Sequence, residues 1–273
     1  MSQDSGKATG ITCMGTHGLS NATQATNLPS QREKPWRVAT VTAVKIASNR
    51  VKLFTLELPS GGNFKAGQHY DVRLTAPDGY QAQRSYSLAS SPGDTNLVEI
   101  AIELIDDGEV SSYFHDSVEP GQRIEIRGPI GGHFTWKPSH TKSSIFIAGG
   151  SGIAPIISML RHRSAVKNNS PAVLLFSVRT EDDILYREEL ERMSDNDPSL
   201  HMVTTITRET SKDWIGNTRR IDRDMIDSAL VNTGLKPESA YVCGGSGFVE
   251  SMANTLLDIG LDFKQIHIER FGP

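Results

Sequence analysis

From Trp36 the chain runs as short β-branched stretches set apart by turn residues, and after Pro138 that rhythm changes. WRVATVTAVKIA (36–47), VKLFTLELP (51–59), HYDVRLTAP (69–77), RSYSLASS (84–91), LVEIAIELI (97–105) and RIEIRGP (123–129) carry partly alternating apolar positions. That spacing belongs to strands with one buried face. PSGG at 59–62, PDG at 77–79, SPG at 91–93 and EPG at 119–121 punctuate them. The series reads as an antiparallel barrel or sandwich, and an N-terminal antiparallel Greek-key β-barrel is the fold expected. One short helix, GEVSSYFHDS at 108–117, interrupts it.

Beyond Pro138 buried-strand runs alternate with helical ones. SSIFIAGG, VLLFSVRT, HMVTTITRE, AYVCGG and QIHIERF read as strands. SGIAPIISMLRHRSAV, EDDILYREELERMS (181–194), RDMIDSALVN and GFVESMANTLLDIG read as the intervening helices. Such alternation predicts a doubly wound parallel sheet. The expected organisation is a flexible tail over 1–34, a barrel over 35–138 and a parallel-sheet domain over 139–273. The tail follows from its Ser, Thr, Gly, Asn and Gln content, which buries too little apolar surface to offset ordering.

Composition narrows the function classes. Lys plus Arg number 28 and Asp plus Glu 32, a formal net charge of −4 over 273 residues. There is no basic excess for nucleic acid. Two cysteines, Cys13 and Cys243, exclude a disulfide scaffold and any cluster needing four thiolates from this chain. No apolar run approaches the ~18 residues of a membrane helix. With no apolar leader and no Arg before Arg32, a cytoplasmic protein without membrane insertion is expected. His69, His115 and His133 lack metal-ligand spacing, so no metal site is expected.

Two segments carry candidate chemistry. The turn Gly149-Gly150-Ser151-Gly152-Ile153-Ala154-Pro155 joins a strand to a helix. Its glycines permit close backbone approach, and the helix start favours a phosphate; tight helix–strand packing explains the same glycines. Arg84-Ser85-Tyr86-Ser87 sits on a strand, where Arg could pair with a phosphate and Tyr could stack on a flat ring. An edge-strand Arg beside a core Tyr is the plainer reading. Arg161, His162, Arg163, Arg219 and Arg220 read as solvated charges, with Arg219 or Arg220 able to reach a coenzyme phosphate instead.

Six motifs in order, RSYSLASSP (84–92), GEVSSYFH (108–115), GPIGGHF (128–134), GGSGIAP (149–155), VCGGSGF (242–248) and ERF (269–271), resemble the ferredoxin–NADP⁺ reductase superfamily. The resemblance covers roughly residues 36–273. It implies a flavin barrel followed by a nicotinamide-nucleotide domain, with FAD, less often FMN, between them. Arg84 then takes the flavin phosphates, Tyr86 stacks on the isoalloxazine, Ser87 bonds near N5, and Ser85 belongs to the same motif. Gly108, Val110, Ser111 and Ser112 serve the flavin pyrophosphate. Gly149, Gly150, Gly152 and Pro155 serve the coenzyme pyrophosphate, Cys243 and Gly244 the nicotinamide, and Phe271 the flavin face. Ser87, Cys243 and Glu269 are the implied catalytic set, for hydride transfer between NAD(P)H and FAD.

The resemblance further implies that electrons leave to a separate redox protein, ferredoxin-like, haem or oxygenase component. A free-flavin or quinone reductase, or a low-turnover flavin-binding regulatory subunit, are the alternatives. ERFG resembles the end of reductases that continue into a plant-type [2Fe–2S] domain, whose cluster this chain's two cysteines cannot hold. Arg179, Thr207 and Arg208 stand where cationic donors meet the 2′-phosphate, so NADPH is expected over NADH, with both possible as co-substrate.

Overall fold

A computed structural model describes residues 34–93, 96–209 and 211–271. Cys13 and all of the expected tail except Lys34 lie outside these residues.

The first half contains β1 (Arg37–Ile46), β2 (Val51–Glu57), β3 (His69–Thr75), β4 (Gln81–Ser87), β5 (Leu97–Glu103), helix α1 (Glu109–Ser117) and β6 (Arg123–Ile130). The strands form one antiparallel sheet in the order β4-β3-β6-β1-β2-β5. Alternation along β2 and β5 buries Phe54, Leu56, Ile100 and Ile102 on the inner face, where Phe114 of α1 plugs the end. Phe54 and Phe114 meet edge to face at 5.0 Å. The expected barrel is barrel-like rather than closed. Its edge strands meet at a single bridge, Leu88 to Ile100, because the chain leaves β4 at Ser87 and runs on into the second half's packing.

That second half contains β7 (Ser144–Gly149), α2 (Ile153–Ala165), β8 (Ala172–Val178), α3 (Arg187–Asn196), β9 (Leu200–Ile206), α4 (Arg223–Thr233), β10 (Ser239–Gly245), α5 (Ser246–Asp258) and β11 (Ile266–Phe271). The sheet is parallel, in the order β11-β10-β7-β8-β9. Both faces are covered, as continuous apolar strands require. Ile145, Ile147 and Val242 point to α4 and α5, and Phe146, Ala148 and Phe176 to α2 and α3.

One expectation on this half is corrected. The helix read over 181–194 is broken: a 3₁₀ turn spans Glu181–Asp183, and Tyr186 at φ +59° starts α3 afresh. The Thr180–Asp183 capping box closes the first turn, and Ile184 and Leu185 drop into the core instead of continuing the helix.

The two halves share a core. Val51, Ala66, Ala89, Phe134 and Trp136 from the first pack in one cluster with Ile156, Met159 and Leu160 of α2. Arg161 of α2 donates to Ala89 O at 2.8 Å, to Glu99 Oε1 at 2.9 Å and to Glu189 at 2.7 Å. Arg163 is 3% exposed and paired with Asp197. Both were expected to be solvated. Their positions on the inner side of α2 put them under α3 and the sheet edge, where burial requires pairing.

Candidate functional site

A cleft of about 1040 Å³ opens where the two halves meet. The pleat of β4 builds one wall. Arg84, Ser85, Tyr86 and Ser87 all line the cleft, facing Val72, Asp71, Tyr70 and His69 across the antiparallel ladder. Arg84 is exposed and, among the described residues, bonds only Gln83 O, at 2.7 Å, so its guanidinium keeps most of its five donors for a ligand. Tyr86 lies half-buried against Phe114, and burial pushes its phenol pKa well up. Ser85 is already committed: its hydroxyl donates to Asp71 Oδ1 at 2.6 Å, while Asp71 Oδ2 accepts from Arg127 at 2.8 Å. Ser85 therefore stiffens the strand.

The start of α1 continues this wall. Gly108, Val110 and Ser111 line the cleft, and Ser112 does not. No side chain caps this helix. Ser111 Oγ donates to Gly108 O and accepts from Ile105 N, each at 3.2 Å. The hydroxyl thus holds the 105–111 loop in shape. What the loop offers an anion is its helix-start backbone.

The opposite wall comes from the carboxyl ends of the parallel strands, the usual ligand position in such sheets. Gly149, Gly150 and Ser151 of the β7–α2 turn line the cleft; Gly152 and Pro155 sit behind them. Gly150 adopts φ +55°. Gly152 is fixed by close approach: a Cβ there would come within 2.3 Å of Cys243 O. Neither the 3₁₀ turn Gly150–Gly152 nor α2 has a side-chain cap. The turn is therefore a cradle of backbone groups a phosphate can approach.

Cys243 and Gly244 do not line the cleft. Cys243 is fully buried beside Ala148 and Glu269 in neighbouring strands. Burial, then the Glu269 charge, pushes its thiol pKa well up. Glu269, Arg270 and Phe271 of β11 reach the cleft, and Phe271 also packs on the shared core. Glu269 Oε1 stands 3.5 Å from His69 Nδ1 of β3. Ser87, His69 and Glu269 thus gather where the walls converge.

Arg179 and Thr207 line the cleft; Arg208 does not, its N–H donating to Arg179 O at 2.9 Å. Arg220 lines it too, while Arg219 turns away to Asp222. The sequence reading missed Arg50, His69, Glu103, Ser151, Asp183, Phe248 and Arg270 as parts of the cleft. Of these, Ser151, Phe248 and Arg270 stood inside quoted motifs without being singled out. Among the described residues no cluster of His, Cys, Asp or Glu could hold a metal, and no helix is long and apolar enough to cross a membrane.

The residues present suit an extended dinucleotide: cations and helix-start amides on both walls, with aromatic surface between. Comparison with known proteins agrees. Residues 38–136 match the oxidoreductase FAD-binding domain and 146–254 the oxidoreductase NAD-binding domain. The chain is 30% identical to a glycine betaine monooxygenase reductase subunit of Pseudomonas aeruginosa over 77% of its own length and 57% of the relative's. It is 30% identical to ferredoxin–NADP reductase B of Sorangium cellulosum over 85% of its own length and 96% of the relative's. A ferredoxin NADP⁺ reductase of Neisseria gonorrhoeae, crystallised with FAD and NADP, superposes with a TM-score of 0.74 at 22% identity, covering 86% of this chain and 98% of that one. The chain spans 57 to 65% of the length of several relatives it matches. With both domains matched in order and a relative aligned nearly end to end, the chain belongs to the ferredoxin–NADP⁺ reductase superfamily of FAD- and NAD(P)-binding oxidoreductases.

Proposed function

We propose that this protein is an NAD(P)H-dependent flavoprotein reductase that passes electrons to a separate redox protein, ferredoxin-like, haem or oxygenase component. One observation carries the reading: a single cleft joins the 84–87 strand of the FAD-type half to the 149–151 turn of the NAD-type half, with Ser87 and Glu269 on its two walls. Relatives named as a monooxygenase reductase subunit and a ferredoxin–NADP reductase support it.

Bound FAD would supply two-electron acceptance from the coenzyme and one-electron release to the partner. Everything else falls to the chain. Arg84 would neutralise the FAD phosphates with charge-assisted hydrogen bonds, and the α1 start would add backbone donors. Tyr86 would offer its ring face and is kept neutral by burial. Ser87, 7% exposed, would place a hydroxyl at the reacting edge. Glu269, beside His69, would hold or pass a proton there. Cys243 would act from beneath: its backbone carbonyl crowds Gly152, and its packed, neutral thiol would support the floor under the nicotinamide. Arg179 and Thr207 in the cleft, with Arg208 joined to Arg179 O through its backbone N–H, support NADPH as the preferred coenzyme.

The test is turnover with three acceptors: ferricyanide, a purified [2Fe–2S] ferredoxin, and free FMN or menadione. The proposal expects ferricyanide and ferredoxin reduction dependent on NAD(P)H. Fast reduction of free flavin or quinone with none of ferredoxin or a cytochrome would replace the protein partner with a small acceptor. No turnover with any acceptor would leave a flavin-binding regulatory subunit.

A further inference from the structure

The 149–152 turn is already engaged by a protein carboxylate. Ser151 Oγ donates to Glu103 Oε2 at 2.6 Å, across the cleft between the two halves. Glu103 is the last residue of β5, and Ser151 lies in the 3₁₀ turn that opens the parallel half. A carboxylate thus holds the one hydroxyl in a turn built to receive an anion.

Glu103 has a second partner within reach. Its other oxygen, Oε1, is 4.0 Å from Arg50 Nε, too far for a hydrogen bond but close for a charge. Arg50 Nε is buried and makes no hydrogen bond among the described residues. The arginine itself is well anchored. Its Nη2 donates to Leu104 O at 2.9 Å, and its carbonyl accepts from Leu104 N at 2.7 Å. Val51, the next residue, pairs with Glu103 in the β2–β5 ladder. Arg50 cannot follow Glu103, but Glu103 can swing to Arg50.

We propose that Glu103 is a displaceable latch that sets coenzyme affinity: it holds Ser151 until the coenzyme pyrophosphate arrives, then moves to Arg50. This rests on the reading above that the 149–152 turn receives that pyrophosphate. A diphosphate and a carboxylate at one turn repel strongly in a partly desolvated cleft. Transfer of Glu103 to Arg50 neutralises the carboxylate, satisfies the buried Nε and frees the Ser151 hydroxyl for a phosphate oxygen. Coenzyme binding would therefore exchange a bond between the halves for one within the barrel, coupling occupancy to freedom at the cleft mouth.

The experiment is titration of the flavin-loaded protein with oxidised NADP⁺ and NAD⁺ by calorimetry, so that no turnover intervenes. Glu103→Gln keeps size and an acceptor but removes the charge, and should tighten Kd about three- to tenfold. Arg50→Gln removes the destination and should weaken Kd by a similar factor. In Glu103→Gln/Arg50→Gln the weakening should vanish, since no charge remains to be housed. General damage to the fold cannot produce the tightening. Gly150→Asp supplies the reference: its Cβ meets open space, Asp tolerates the left-handed conformation, and it adds a charge at the turn. If Gly150→Asp weakens Kd while Glu103→Gln does not tighten it, the latch is wrong and the coenzyme site stands. If Gly150→Asp leaves Kd unchanged, the coenzyme does not use this turn and the underlying reading falls with the latch.

Discussion

His69 Nδ1 of β3 lies 3.5 Å from Glu269 Oε1 of β11, so a residue from each half meets at the convergence of the cleft walls. His69 is also the ladder partner of Ser87. A hydroxyl, an imidazole and a carboxylate are therefore grouped on neighbouring positions of the cleft lining. Ser87 is 7% exposed, and the His69 and Glu269 side chains 20% and 23%, so each group is partly shielded from water and acts more strongly on a neighbour than it would in bulk solvent.

Ser87→Ala and Glu269→Gln should each slow the limiting rate of flavin reduction roughly ten- to a hundredfold. Coenzyme Kd should stay within about threefold, because these groups act at the reacting edge. Stopped-flow reduction at saturating coenzyme measures the first, and titration with oxidised coenzyme the second. An unchanged limiting rate in either variant removes that residue from the catalytic set.

Cys243 should be chemically silent in the folded protein. It is fully buried, and burial and the Glu269 charge hold its thiol pKa well above the ordinary value, while thiolate character governs alkylation. Iodoacetamide at about pH 8 should leave the peptide containing Cys243 unmodified in native protein and label it in denaturant. Native labelling of that peptide would show the thiol open to the cleft.

Mild acid should destabilise the protein through its histidines. Burial lowers the pKa of His140, His162 and His267, the last also through the nearby His133. Their folded pKa values lie below the unfolded ~6.5, so the unfolded state binds more protons just below that pH. Stability is then full above the unfolded value and is lost as pH falls toward the folded ones. Glu125, Glu181 and Asp197 likewise have lowered pKa values, below the usual carboxylate range, so their contribution fades only at lower pH. Tm should fall between about pH 7.5 and pH 5. His267 stacks on Tyr241 at 4.9 Å with a buried, unbonded Nδ1, so His267→Phe should reduce that fall. A Tm independent of pH over this range would contradict the account.

Arg179→Ala should cost about ten- to a hundredfold in kcat/KM for NADPH, the worth of one charge-assisted hydrogen bond, and leave NADH nearly unaffected, because Arg179 lines the cleft. Arg208→Ala should cost less, because Arg208 does not line the cleft and its bond to Arg179 O is made by the backbone N–H, which alanine keeps. Equal losses for both coenzymes, or a wild type that prefers NADH, would refute the assignment.

The order of elements was legible because periodicity is local: alternation in β2 and β5, and unbroken apolar runs in β7 and β10, follow from which faces are buried. The α3 start was not, because Tyr186 takes a left-handed conformation to send Ile184 and Leu185 into the core, a tertiary demand that overrides helical spacing. At the site, RSYS and GGSG announced themselves as contiguous motifs. Arg50, His69 and Glu103 did not, since each gains its meaning from a residue far along the chain: Glu103 from Ser151, His69 from Glu269. Cys243 illustrates the converse. Its motif stood out in the sequence, yet only packing reveals that its side chain is buried and does not line the cleft.

The most direct test of the central claim is anaerobic titration of the purified, flavin-loaded protein with NADPH and NADH, followed by the flavin absorbance. The account predicts bleaching of the yellow chromophore at about one equivalent of reduced coenzyme, with FAD released on subsequent heating. A flavin that dithionite bleaches but neither coenzyme does, or a protein that cannot be loaded with FAD or FMN at all, would contradict it.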